Sequence, residues 1–224
     1  MKSMKRELQR LRKVKRKSHH PLIHRIHRKY KISRRTLFYV KEYGPHSNVS
    51  KTIIRESIKI LLFASIISSI GGLAMENIKA VLVSLTPLII LLPALNDMIG
   101  DYGMIISSKF SAMLHEGKIK GRWWKNSGIK KIFAQIFLIS IITASISSLI
   151  AVAISGFSFS YKIFLVSIID TAILVSILFL IAVFAGLYFF RKGEDPSNFL
   201  IPITTSVADF GNMIILSVLV VLFF

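Results

Sequence analysis

The 224 residues contain no cysteine, and only 11 acidic side chains stand against 30 lysines and arginines. Without thiols the chain forms no disulfide, holds no thiolate-bound metal and offers no cysteine nucleophile. A Walker phosphate loop, an HExxH zinc pair and a Gly-x-Ser-x-Gly nucleophile elbow are missing too. Histidine occurs only within the first 27 residues, at position 46 and at position 115. The chain is therefore read as a non-enzyme that needs no cofactor. A disordered chain is excluded because 53% of the residues are hydrophobic. The formal charge of +19 is not spread as on a nucleic-acid-binding globule: 15 of the 30 basic residues fall in residues 1–36, and none lies in Ile163–Phe189. An oily body with a basic arm reads as an integral membrane protein.

In the arm, residues 1–36, Glu7 is the only acid. Self-repulsion keeps such a segment extended until an anionic surface neutralises it. Leu8, Leu11 and Val14 have helical spacing, so a short basic amphipathic helix on a lipid surface is expected, interrupted at Pro21. His20, His24 and His27 are also at helical spacing. They lie among Arg and Lys without carboxylates, which favours a solvated or phosphate-facing patch over a metal site. Residues 37–52, with Gly44-Pro45, read as a linker. The division is thus a basic arm and linker over 1–52 and a membrane domain over 53–224.

Five apolar segments follow, at about Ser57–Ala74, Val81–Leu114, Ile129–Ile154, Ile163–Phe190 and Phe199–Phe224. A hydrocarbon core of ~30 Å takes ~20 helical residues, so each crosses once. The second is too long to stay straight within the membrane and is broken by Pro87, Pro93, Gly100 and Gly103; a bend or a projection into the cytosol is expected. The first long apolar run begins near residue 57, which gives no expectation of a signal peptide. With five spans and the arm inside, 28 basic residues fall on the cytoplasmic side and only Lys79 and Lys162 outside. That split follows the positive-inside rule. The fold expected is an all-α protein of five transmembrane helices in the plasma membrane, with a cytoplasmic N-terminus and an external C-terminus.

Four aspartates interrupt the apolar segments: Asp97, Asp101, Asp170 and Asp209. Each costs roughly 2.5–3.5 kcal/mol at a span centre, about 10 kcal/mol together. The nearest basic residues, among them Lys59, Lys109, Lys130 and Lys162, sit at segment ends. Acids at depth without a basic mate need protons, water or a cation. Asp97 and Asp101 are i,i+4 and share a helical face, with Asn96 and Gly100 beside them. Gly100 and Gly103 let a backbone or a hydrated ion approach. Pro87 and Pro93 are expected to leave ladder carbonyls free. Thr205, Asp209 and Asn212 form a polar stripe. The metal-contacting set is therefore Asp209, Thr205, Asn212, Asp97, Asp101 and Asn96. Asp170, seven residues from the outer end of its segment, reads as a snorkelling or mouth-lining group. The serines at 65, 68 and 69 and at 145, 147 and 148 read as helix-packing faces.

The run Leu92-Pro93-Ala94-Leu95-Asn96-Asp97-Met98-Ile99-Gly100-Asp101, followed by Ser107-Ser108-Lys109, resembles the second-helix signature of the MgtE magnesium channels and their relatives, the solute-carrier family 41 cation transporters. Asp195-Pro196-Ser197-Asn198, then Pro202, Thr204-Thr205 and Asp209, is similar to the family's other signature. The resemblance covers about residues 53–224. It implies a homodimeric divalent-cation pathway lined by the second and fifth helices of both subunits, with Asp209 as the pore aspartate and Mg2+ as the transported ion. Asp101 departs from the family, which usually has Asn there. Only about 52 residues precede the first span, so the family's large sensing modules are not expected. A C2 pair of Asp209 carboxylates would match one divalent charge. Mg2+ keeps several waters, so a largely hydrated ion is expected.

A Na+- or H+-coupled divalent-cation exchanger would use the same acids. A tethered scaffold binding anionic lipid or nucleic acid would use the arm. With few aromatics to stack bases (Tyr30, Phe38, Tyr39), the arm is read as facing membrane lipids, and no nucleic-acid partner is expected.

Overall fold

The structure, a computed structural model, describes residues 6, 7, 10, 21–30, 37, 49–76, 78–119, 123–156, 161–192 and 194–224. The helix expected around Leu8–Val14 and the side chains of His20, His24 and His27 lie outside the described residues. The described elements are helical throughout: α1 (Pro21–Tyr30), α2 (Val49–Glu76), α3 (Lys79–Ser84), α4 (Thr86–His115), a 3-10 turn at Trp123–Lys125, α5 (Ser127–Ile154), α6 (Tyr161–Lys192) and α7 (Pro196–Phe223). Pro21 opens α1, as its fixed φ and missing N–H permit in a first turn. α1 exposes Arg25, Arg28 and Lys29 while burying Ile26.

Five helices are long and apolar enough to cross a membrane: Ser57–Glu76 within α2, then α4, α5, α6 and α7, with mean hydropathy from 1.4 to 2.7. The protein is a multi-pass, all-helical membrane protein. The bend expected in the second segment is a clean break. α3 ends at Ser84, Leu85 leaves the helical region at φ −114° and ψ 77°, and α4 restarts at Thr86. Pro87 lies in the first turn of α4, where its missing N–H costs that helix no ladder bond. Pro93 does lie inside the helix. α5 is capped by Asn126, whose side chain accepts from the N–H groups of Gly128 and Ile129.

α2 and α7 run side by side and parallel. Ser57 Oγ donates to the Asn198 carbonyl, Ser206 Oγ to that of Ala64 and Ser217 Oγ to that of Ala74, at sequence offsets of 141 to 143. The first of these has a local cause. Pro202 has no N–H to give the carbonyl four residues back, and Ser57 supplies the donor instead. α4 and α6 pack on α7, and α5 packs on α4 and α6. Two apolar layers fill the bundle. Leu88, Leu91, Leu95 and Ile99 meet Val166, Leu174 and Leu216 in one, and Tyr102, Ile106 and Phe110 meet Ile136, Val175 and Phe179 in the other. Small residues allow close approaches: a Cβ on Gly103 would lie 3.1 Å from Thr204 Cβ, and one on Gly186 would lie 2.8 Å from the Phe110 ring.

Candidate cation site

The crossing of α2, α4 and α7 holds a polar cluster. Asp209 is half-buried at mid-length of α7. Its Oδ1 accepts from Asn96 Nδ2 at 2.7 Å and its Oδ2 accepts from Ser68 Oγ at 3.2 Å. Asn96 Oδ1 in turn accepts from Asn212 Nδ2 at 3.0 Å. Asn212 is fully buried, and its Oδ1 has no hydrogen-bond partner. Asp209 and Asn212 stand three residues apart on one face of α7, which is why a single side chain of α4 reaches both.

Each carboxylate oxygen has two lone pairs, and one protein donor reaches each. Acceptor capacity is therefore left over on Asp209, beside an amide oxygen with no donor at all. A site of surplus acceptors in a membrane suits a cation or the water around it. Space is available as well. Gly100, one turn from Asn96 on the same face, is buried, yet a Cβ built on it would meet nothing within 4 Å. The two glycines flagged in the sequence thus differ in role: Gly100 borders open space and Gly103 seats Thr204.

The remaining candidates are placed differently. Thr205 is half-buried and donates to the carbonyls of Ile201 and Pro202 on its own helix, so its hydroxyl is not bonded to the cluster. Asp97 and Asp101 are exposed on α4 and make no hydrogen bond or ion pair with another described residue. They continue an exposed stripe of α4 that includes Ile89, Pro93, Met104 and Ser108. Asp170 is not a mouth-lining group. It is fully buried, because the α6 face that carries it packs into the bundle. Ser68, read from sequence as packing, is a partner of Asp209. Only the parallel register of α2 against α7 shows this, and no spacing within one segment encodes it.

At one end of the bundle Asp195 caps α7. Its Oδ1 accepts from the Ser197 N–H at 3.0 Å, and it lies 3.4 Å from both His115 Nε2 and Ser111 Oγ. Burial pushes the Asp195 carboxyl up, but hydrogen bonds from His115 and Ser197 outweigh it and hold the group below its ordinary value. The Asp-Pro pair is a helix start in physical terms, with a capping acid followed by proline at the first helical position. Sequence reasoning gave Ser111 and His115 no part in it.

Residues 92–219 match the profile of the MgtE family, described as divalent cation transporter. Solute carrier family 41 member 2 from Macaca fascicularis is 28% identical over 176 residues, and the human protein of that name is equally so; each alignment covers 71% of this chain and 30% of the relative. The Gallus gallus protein is 27% identical over 185 residues, covering 75% of this chain and 32% of the relative. The chain therefore spans about a third of the length of the curated relatives it matches. No solved structure matches it. The profile takes in α4 from Leu92 through α7 to Leu219, and so includes Asn96, Asp209 and Asn212. By that match the chain belongs to the MgtE family.

Proposed function

We propose that the protein carries a divalent cation, Mg2+ foremost, across the plasma membrane. The cation, still largely hydrated, is held at Asp209 with Asn96 and Asn212. The observation that supports this most is the half-buried carboxylate of Asp209 beside the unpartnered buried oxygen of Asn212, with no basic side chain among the described residues hydrogen-bonded to either. A hydrated Mg2+ ion offers water donors to those acceptors and the charge that Asp209 lacks.

The pathway is completed by a second copy. Asp97 and Asp101 face outward from a single chain, where lipid would leave them uncompensated. A two-fold axis beside α4 lets the two copies shelter four such carboxylates around water and brings the Asp209 sites toward a shared path. The arm lies in the cytoplasm, as the 28-to-2 distribution of basic residues favours, and exposed Arg25, Arg28 and Lys29 suit anionic lipid headgroups. Uptake of Mg2+ into liposomes containing the purified protein tests the reading. Wild type takes up the ion and Asp209→Ala does not while remaining folded; equal uptake by the two overturns the assignment.

A further inference from the structure

Asp170 is the acid that the cation cluster does not use. It lies near the middle of the first half of α6, with none of its surface exposed, and neither carboxylate oxygen has a hydrogen-bond partner. The adjacent Thr171 hydroxyl is equally buried and also lacks a partner. Other buried hydroxyls of the bundle are satisfied: Ser140 and Ser148 donate to carbonyls of their own helix, and Ser148 and Ser167 bond to each other.

Three helices pack on α6, and their ionisable groups are few. α7 carries only Asp209, already bonded to Ser68 and Asn96. On α5 there are only Lys130 and Lys131, both exposed in its first turns. On α4 the acids Asp97 and Asp101 are exposed, as are Lys109 and His115 toward its far end, and the Tyr102 hydroxyl is bonded to Thr143. On α6 itself Lys162 donates to the Phe223 carbonyl, and Arg191 and Lys192 occupy the last turn. None of them forms an ion pair with Asp170. An ionised carboxylate with neither donor nor counter-charge is among the least tolerable groups in a dry interior, and it neutralises by taking up a proton.

We propose that Asp170 is a proton-binding site within the helix bundle, separate from the cation cluster and occupied when the helices are packed. Its position ties it to that cluster. Leu174, one turn along the same face, packs so closely on α7 that a Cβ on Gly211 would lie 2.5 Å from its Cδ2. Gly211 is two residues from Asp209. Loss of the proton would place a bare charge one turn from this seam and draw water toward it, loosening the contact that sets α7 against α6.

Infrared spectra of the full chain in lipid at neutral pH test the site directly through the C=O stretch of a protonated carboxyl. The expected result is one such band in wild type that is lost in Asp170→Asn, retained in Asp209→Asn, and unchanged by saturating Mg2+ or Na+. The Asp209→Asn sample keeps the measurement independent of the transport reading. A band unaffected by Asp170→Asn would mean that Asp170 is ionised, and would overturn the proposal. Loss of the Asp170 band from wild type on adding Na+ or Mg2+ would make it a metal-ion site, and would overturn it equally. Asp170→Leu is a second variant that should also fold, since a neutral acid without partners leaves nothing unpaired when it is removed. Failure of both variants to fold would contradict the proposal.

Discussion

At the scale of single residues, the difference between Asp209 and its fellow acids is one of company. Asp209 has two donors and acceptor capacity to spare, Asp97 and Asp101 have open surroundings, and Asp170 has nothing. Asp101→Asn keeps the polarity of the exposed face while removing one charge, and should retain Mg2+ uptake in liposomes; a well-folded but inactive variant would show that this chain uses the extra acid directly. Asp195 makes a different prediction. Because its folded carboxyl titrates below its unfolded value, its stabilisation is present above the ordinary carboxylate range, near pH 4. That stabilisation is lost as pH falls through the lower, folded value. Thermal unfolding in detergent should therefore show wild type losing stability on acidification below about pH 4, and Asp195→Asn showing a shallower loss. Identical acid profiles would show that the cap and its His115 contact do not contribute. Of the residues singled out in the sequence, the shared face of Asp209 and Asn212 was legible from their helical spacing, whereas their meeting with Asn96 of α4 depends on how the helices pack. Thr205 shares the stripe but bonds to its own backbone, and a side chain's choice between backbone and cluster is not written in spacing.

At the scale of elements, the five crossings were readable from run length alone, since hydrophobic thickness fixes how many apolar residues a helix needs. The break at Leu85 was half-legible. Proline marked the region, but whether the chain bends through Pro93 or restarts before Pro87 depends on how α3 and α4 pack. Facing was the part that could not be read. Asp170 looked close to a mouth because sequence gives its distance along a helix, whereas the four-helix packing of α4, α5, α6 and α7 decides that its side points inward. The same packing makes a tight joint at Gly186, where Phe110 and Leu200 leave no room for a methyl group. Gly186→Ala should lower stability by about 1–3 kcal/mol through overpacking, read as a drop in the unfolding midpoint. No change would show that the Phe110 ring moves aside freely.

At the scale of the whole molecule, charge segregation and the proposed two-fold pairing carry the account. Basic residues crowd the segments assigned to the cytoplasm, and the acids of α4 lie on a face exposed among the described residues. The absence of native cysteine makes that face simple to probe. Met104→Cys, on the exposed stripe with Asp97 and Asp101, should give disulfide-linked dimers when membranes are oxidised; a chain that stays monomeric would contradict a two-fold axis beside α4. The central claim is that a passing cation supplies the counter-charge of Asp209. Its most direct measurement is Mg2+ flux into liposomes for Asp209→Asn, which preserves size and hydrogen-bonding capacity while removing the charge. The account predicts that flux is lost although the variant folds as wild type does, and flux at the wild-type rate would contradict it.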